Sequence, residues 1–291
     1  MRGGGKGTAL LVLVVALLCY SACVILARVV YGHGGNALTV LISRMGVFFT
    51  FLWIYFAVTG RSVEISARDR WASLGIGLVV AVQSYAYYSA FEYIPVSLAA
   101  LIFYTYPTLV AIASRLVSRA PLTPAMLAAL IAAFFGLALV LEASIGDVEP
   151  HGLVRAAISS IGMTATVMIA SRVLARVDAQ LMTFYSSGVT SLVYILVAFA
   201  TGWATTPVDF PGWAALIAIP FVYTFGVLGW YSTMPLLGAV RVTFLSNFEP
   251  LFTVALAALL LGEILTLRQM LGAALVIGAV LALQIFGRRG A

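Results

Sequence analysis

Ten long apolar segments, separated by short polar or Gly/Pro-containing breaks, constrain the fold of this chain more than any other feature of its sequence. A bilayer core of about 30 Å takes roughly 20 helical residues to cross. The segments span residues 8–30, 37–59, 71–93, 95–118, 124–142, 152–174, 179–201, 211–236, 239–261 and 265–287. Because they show no apolar–polar alternation, we expect helices rather than the strands of a barrel. The sequence predicts an all-α integral membrane protein with ten transmembrane helices.

The composition supports a membrane protein and leaves little chain for a soluble domain. Hydrophobic residues make up 63% of the 291 and charged residues 9%, against about 45–50% and about 25% in a soluble domain. The net charge of +6 would suit nucleic acid, but its distribution along the chain favours another explanation.

Basic residues concentrate at alternate ends of the predicted helices. With the N terminus inside, the cytoplasmic ends carry Arg2, Lys6, Arg61, Arg68, Arg70, Arg115, Arg119, Arg172, Arg176, Arg241, Arg288 and Arg289, and the outer ends carry only Arg28, Arg155 and Arg268. This asymmetry is the positive-inside pattern. We therefore expect a multi-pass protein of the cytoplasmic membrane with both termini in the cytoplasm, and no nucleic-acid partner.

The chain contains an internal duplication. Pro107 aligns with Pro250, and Leu122-Thr123 with Leu265-Thr266, at an offset of 143, while residues 26–30 align with 170–174 at an offset of 144. We predict two five-helix domains, residues 1–143 and 151–291. Since five crossings is an odd number, the second repeat must enter the membrane inverted, which is the plan of many secondary transporters.

The second repeat carries a motif with a family resemblance. Residues 249–283, "EPLFTVALAALLLGEILTLRQMLGAALVIGAVLAL", and their weaker copy around Tyr106-Pro107 resemble the EamA branch of the drug/metabolite transporter superfamily. The resemblance implies export of a small metabolite or amino acid from a central cavity. Where the second repeat has Gly262-Glu263, the first has Arg119-Ala120, so a shared role of this loop is in doubt.

Glu249 and Pro250 are the most informative pair of residues. Glu249 is expected about ten residues, or ~15 Å, inside the ninth helix, where an ionised carboxylate is costly unless it is paired or hydrated. Pro250 removes a backbone donor and disturbs the preceding turn. A carboxylate beside a disturbed turn suits a cation, a proton or a substrate ammonium. Alternatively, Glu249 is protonated or paired and merely holds the bundle together.

Further polar and aromatic side chains lie at membrane depth and are candidates for substrate binding. They can hydrogen-bond a substrate or stack on an amine, but each can equally pack in the core or anchor at the interface. Our predicted substrate-binding set is Glu249, Gln83, Tyr87, Tyr104, Asn247 and Trp230, with Tyr20 and Thr164 as weaker members. Asn247 aligns with Tyr104 at the repeat offset.

Prolines and one deep arginine complete the list of candidates. Pro107, Pro235 and Pro250 are predicted hinges because bending concentrates where helix hydrogen bonds are missing, although such kinks can also be static. Arg44, in the second segment, is predicted to be structural, snorkelling outward or pairing with Glu249 or Glu92.

Enzymatic function has no support in the sequence. Both histidines, His33 and His151, fall in predicted outer loops, and neither H-E-x-x-H nor G-x-S-x-G occurs. Cys19 and Cys23 are expected to be buried apolar thiols rather than a disulfide or metal site. We predict no catalytic residue, metal or cofactor.

The combined prediction is a secondary-active transporter that exports small metabolites by alternating access, with amino acids favoured as substrates. Drug- or cation-type and nucleoside- or vitamin-type transport remain alternatives, as does a structural membrane protein without transport activity. The expected partners are a small-molecule substrate and the lipid bilayer. We expect a monomer, with a homodimer as the alternative.

Overall fold

The computed structural model describes residues 4–91, 93–118, 123–142, 149–261 and 265–286, and all regular elements in these ranges are α-helices. Arg2, Glu92, Arg119, Gly262-Glu263, Arg288 and Arg289 lie outside the described residues. The helices are α1 (Gly4–Gly32), α2 (Ala37–Thr59), α3 (Ala67–Ala90), α4 (Val96–Phe103), α5 (Tyr106–Ser118), α6 (Pro124–Val140), α7 (Pro150–Val173), α8 (Ala179–Thr201), α9 (Phe210–Leu237), α10 (Ala239–Leu245), α11 (Phe248–Leu261) and α12 (Leu267–Phe286).

These twelve helices form the ten predicted membrane segments, because the fourth and ninth segments each consist of two helices. Within the described ranges, seven helical stretches are long and apolar enough to cross a membrane, and the shorter Pro124–Val140 and Leu267–Val280 are apolar as well. The remaining segment, the third, is α3, with 24 residues. The fold is therefore the expected all-α membrane architecture.

The duplication is visible in helix lengths and caps. Both α2 and α8 have 23 residues and end at a left-handed glycine, Gly60 with φ 63° and ψ 13° and Gly202 with φ 64° and ψ 13°. Thr123 and Thr266 cap α6 and α12 by accepting from the backbone N–H three residues later, at 3.2 Å in both cases. Equivalent sequence positions thus perform the same local task in both repeats.

The helices pack into two compact units that do not coincide with the repeats. Unit 1 comprises residues 1–81 and 169–237, and unit 2 comprises residues 82–168 and 238–291. Unit 1 therefore contains α1 and α2 from the first repeat together with α8 and α9 from the second. Both α3 and α7 contribute residues to each unit.

Small residues bring α1 and α9 of unit 1 together. A Cβ added at Gly229 would lie 3.1 Å from the Cβ of Ala16, and one added at Gly226 would lie 3.3 Å from the Cβ of Cys19. Lipid gives apolar helix faces no strong drive to associate, so close backbone approach supplies the packing energy. Both cysteines are free thiols; Cys23 is buried as predicted, whereas Cys19 is only partly buried.

A hydroxyl stripe on α8 packs inside the same unit and was not anticipated from the sequence. It consists of Thr183, Ser186, Ser187, Thr190 and Ser191, all buried. Most of these hydroxyls donate to carbonyls of their own helix, and Thr190 Oγ1 also reaches Gly77 O at 2.8 Å. A Cβ on Gly77 would lie 2.4 Å from Ser186 O, so glycine is what allows α3 to approach the stripe.

Polar side-chain contacts connect neighbouring segments at both ends of unit 1. At the predicted outer end, His33 Nδ1 lies 2.6 Å from Asp209 Oδ2, and this hydrogen bond holds the pKa of Asp209 below its usual value. At the predicted cytoplasmic end, Arg176 Nη2 donates to Asp69 Oδ1 at 2.5 Å. The Asp69 side chain is only 7% exposed, so the guanidinium compensates a carboxylate that has lost most of its water.

Unit 2 contains a tight seam between α6 and α12. A Cβ added at Gly272 would lie 2.6 Å from Gly136 O and 2.7 Å from Val140 N. Ala274 and Gly278, small residues four positions apart, would suggest that another face of α12 packs against a neighbouring helix. Both residues are exposed, so that face is not the packed one. The seam lies instead on the face that carries Gly272 and Val276.

Adding one methyl group to the seam should destabilise the protein. We expect Gly272→Ala to lower the free energy of unfolding by about 1–3 kcal/mol, because the new Cβ meets backbone atoms that cannot move aside cheaply. Gly278→Ala, on the same helix but with nothing within 4 Å of its added Cβ, is the matched control and should leave stability unchanged or raise it. Unfolding in detergent micelles measures both, and equal effects of the two variants would contradict the assigned seam.

The Asp69–Arg176 pair should make stability depend on pH. The hydrogen bond from Arg176 holds the pKa of the Asp69 carboxyl in the folded protein below its usual value. The pair therefore contributes fully to the free energy of unfolding above the ordinary aspartate pKa of about 3.9. This contribution is lost as the pH falls through the lower pKa of the folded state. We expect Asp69→Asn to lower the melting temperature by a few degrees at pH 7, with a smaller difference below pH 4. The exposed neighbour Glu64 provides a control, Glu64→Gln, that should not reproduce this dependence.

Candidate functional site

Two interrupted helices define the candidate site in unit 2. Between α4 and α5 the chain leaves the helix at Tyr104 and Thr105, and between α10 and α11 at Ser246 and Asn247. From the sequence we expected these segments to be continuous, with Glu249 about ten residues inside a helix. Glu249 lies instead in the first turn of α11.

Proline weakens the helix at both interruptions. Pro107 and Pro250 cannot donate a backbone hydrogen bond, and each ring crowds the carbonyl four residues earlier. Those carbonyls belong to Phe103, the last residue of α4, and to Ser246, the first residue of the second interruption. Two of the predicted hinges therefore stand at helix breaks. The third, Pro235, lies within α9, which continues to Leu237.

The two interruptions meet each other. The Tyr104 hydroxyl lies within interaction range of the Glu249 carboxylate, and the Tyr106 hydroxyl within range of the Ser246 side chain. Glu249 also stands where the helix dipole of α11 is positive, which stabilises a carboxylate. Each break thus supplies partners to the other, as backbone and side-chain polar groups in hydrocarbon require.

Helix α7 contacts the first break through a hydroxyl group. Thr105 Oγ1 and Ser160 Oγ are 2.8 Å apart. One turn further, the predicted residue Thr164 is half-buried and donates to Ser160 O at 2.9 Å. We did not predict Thr105, Tyr106, Ser160 or Ser246 for the site. For Thr105 a usable signal was present, since a Thr shortly before a proline favours a turn even inside an apolar run.

Gln83 and Tyr87, both predicted for the site, lie in the part of α3 that belongs to unit 2. Gln83 packs directly on α7, because a Cβ on Gly162 would lie 2.7 Å from the Cβ of Gln83. The Tyr87 ring packs at 4.9 Å, centroid to centroid, from Phe91 and from Phe103. Phe103 in turn packs on Tyr104 and Tyr106, so an aromatic cluster extends from α3 to the first interruption.

Two buried amide oxygens in unit 2 have no hydrogen-bond partner among the described residues. They are Gln83 Oε1 and Asn247 Oδ1, on side chains that are 8% and 2% exposed. A buried polar atom left unsatisfied costs about 1–3 kcal/mol, and such groups are rare in native structures. An acceptor kept at this cost is suited to a ligand that donates hydrogen bonds.

Two predicted site residues belong to unit 1 instead. Tyr20 packs edge-on against Tyr223 with centroids 5.9 Å apart, and Trp230 is 3% exposed and packs against Tyr231. The Arg44 guanidinium lies 4.6 Å from the centroid of the Tyr223 ring. This cation–π contact accords with the expected structural role of Arg44, which stays a prediction.

Comparison with known proteins identifies the family. The family model of the EamA-like transporter family matches residues 7–142 and again residues 151–284. The chain belongs to the EamA-like transporter family. Ten membrane segments in two inverted five-helix repeats are thus both its fold and the plan predicted from its sequence, although the exact domain limits 1–143 and 151–291 stay a prediction.

A solved crystal structure shares the fold of this EamA-like protein. The two superpose with a TM-score of 0.81 over 97% of this chain and 99% of the other, at 19% sequence identity. A search of curated proteins finds no match. Family membership establishes a membrane transporter of small molecules and leaves the substrate to be inferred from the site.

The chemistry of the site is that of binding. It combines one carboxylate, two acceptors without partners, several hydroxyl groups and an aromatic cluster. Within the described residues no three His, Cys, Asp or Glu side chains come together as a metal site would need. These groups can hold a small molecule that has hydrogen-bond donors and apolar parts.

The unsatisfied amide gives a test that needs no substrate. We expect Gln83→Met to raise the free energy of unfolding by about 1 kcal/mol, because the change removes a buried acceptor without a partner and keeps the side-chain length. Gln269→Met is the matched control and should lower stability, since Gln269 Oε1 accepts from Thr266 N at 3.0 Å. A loss of stability in both variants would show that Gln83 Oε1 is satisfied in the protein.

Proposed function

We propose that this protein is a secondary-active exporter of small metabolites, with amino acids as its substrate class. The observation that carries the proposal is the meeting of two interrupted membrane helices at Tyr104 and Glu249. Transporters commonly build substrate sites from discontinuous helices near the bilayer midplane. We further propose alternating access, a monomeric protein in the cytoplasmic membrane and both termini in the cytoplasm, as the charge pattern predicts.

The substrate ammonium would bind at the second interruption. Glu249 supplies the negative charge, and Asn247 Oδ1 supplies an acceptor that is buried and has no partner among the described residues. An ammonium group donates three hydrogen bonds and carries the compensating charge. The Tyr104 hydroxyl, which already contacts Glu249, would keep the carboxylate oriented.

The substrate carboxylate would bind at the first interruption. The N terminus of α5 presents the positive end of the helix dipole, and its first turn contains no acidic residue. The first turn of α11, in contrast, contains Glu249. One break is therefore suited to the positive end of a zwitterion and the other to its negative end.

The aromatic cluster would receive variable side chains. Tyr87, Phe103 and Tyr106 provide apolar surface and ring faces, which bind apolar and cationic groups without fixed directionality. Recognition of the amino-acid backbone at the breaks, together with tolerant packing around the side chain, supports several amino acids as substrates rather than one.

Counterflow in proteoliposomes tests the function. We expect a labelled amino acid to accumulate in vesicles preloaded with the unlabelled form, and Glu249→Gln to slow this uptake at least about tenfold, the factor that corresponds to 1.4 kcal/mol. Glu149→Gln, at an exposed carboxylate, is the control and should transport normally. No counterflow of any amino acid, together with uptake of a solute that lacks an ammonium group, would overturn the substrate class.

The same vesicles test energy coupling through Glu249. Imposing a pH gradient should increase accumulation if this carboxylate exchanges a proton for substrate, and Glu249→Gln should abolish that increase. A gradient effect that persists in Glu249→Gln would remove Glu249 from the coupling step while leaving its binding role to the counterflow result.

A further inference from the structure

Unit 1 contains a cleft of about 770 Å³ that is separate from the residues of the proposed substrate site. Its walls come from α1, α2 and α9 and are mostly apolar, with Leu11, Val15, Phe51 and Phe225 among the lining residues. These four side chains are 65%, 49%, 47% and 71% exposed. In a membrane protein, apolar side chains with this exposure face hydrocarbon, so the cleft opens toward lipid rather than water.

One end of the cleft is polar. Asp178, Gln180 and Ser232 line it, and Asp178 forms an ion pair with Arg61. Both charged side chains remain accessible, at 57% for Asp178 and 40% for Arg61. This end joins the α7–α8 loop to the C-terminal part of α9, which the charge pattern places at the cytoplasmic surface.

The shape and chemistry of the cleft restrict its occupant. A volume of this size lies within the ~300–1,000 Å³ of sites that hold one small ligand. Apolar cavities do not hold water well, and the inner leaflet offers acyl chains at this depth. At the accessible end Asp178 lines the cleft, and Arg61, which is paired with Asp178, lies beside the lining residues. A headgroup that carries both charges can exchange partners with this pair.

We propose that the cleft binds one phospholipid of the inner leaflet that has a phosphoethanolamine headgroup. An acyl chain lies along Val15 and Phe51, the phosphate faces Arg61, and the primary ammonium donates to Asp178. An anionic headgroup without an ammonium would leave the Asp178 carboxylate facing negative charge. A choline headgroup has no N–H to donate. The interaction does not depend on which substrate the protein transports.

Native mass spectrometry of the purified protein tests the lipid site. Protein is incubated in mild detergent with equal amounts of phosphatidylethanolamine, phosphatidylcholine and phosphatidylglycerol. We expect one phosphatidylethanolamine to be retained per chain in preference to the other two lipids. Asp178→Asn should reduce this retention at least fivefold, and Val15→Trp, which fills the cleft from the α1 wall, should abolish it. Leu260→Trp, at an exposed apolar position of unit 2 (66% exposed), is the control and should retain the lipid.

Each result bears on the proposal. Equal retention of the three lipids, preference for phosphatidylglycerol, no retained lipid, or unchanged retention in Val15→Trp would overturn it. If Val15→Trp does not fold, Leu11→Trp fills the same cleft from a more exposed position. Amino-acid counterflow measured on the same preparations separates the two proposals, because loss of lipid selectivity with normal counterflow rejects the lipid site alone.

Discussion

The need to satisfy backbone hydrogen bonds in hydrocarbon shapes this protein more than any side-chain contact. Eight of the ten membrane segments meet it as single helices. The other two interrupt their own hydrogen bonding, which is tolerable only where protein groups replace the missing partners. Part of the backbone there bonds locally, since Glu249 N donates to Ser246 O and Thr108 N donates to Thr105 O, each at 3.0 Å. The polar side chains of the two breaks face each other, Tyr104 toward Glu249 and Tyr106 toward Ser246.

Sequence reasoning predicted the membrane segments closely and the interruptions poorly. The second and seventh segments, 37–59 and 179–201, coincide with α2 and α8 to the residue, because each ends at a threonine followed by a glycine that stops the helix. Pro107 and Pro250 pointed to the right places in the fourth and ninth segments. They could not distinguish a kink from a break, because that outcome depends on whether Tyr104 or Ser246 finds a partner elsewhere in the fold.

The residues of the site were also predicted only in part, because the sequence does not show which of them lie close together. Six of the eight predicted residues belong to unit 2, whereas Tyr20 and Trp230 belong to unit 1. Charge and amide groups inside an apolar run are unusual enough to stand out as candidates one at a time. Tyr20 and Thr164 are equivalent positions at the repeat offset of 144, but equivalence in an alignment carries no information on proximity. Whether any of the eight binds substrate stays a prediction.

The packing units explain why the two repeats must be read as one protein. Unit 1 needs α1 and α2 from the first repeat and α8 and α9 from the second, and the glycines that bring α9 onto α1 are useful only when both are present. The first repeat alone would lack α9, so the face of α1 that packs against Gly226 and Gly229 would have no partner helix. Contacts of this sequence separation require helices of both repeats to be present in the membrane. Each packing unit thus combines helices of both repeats, and the polar site in unit 2 likewise combines Tyr104 of one repeat with Glu249 of the other.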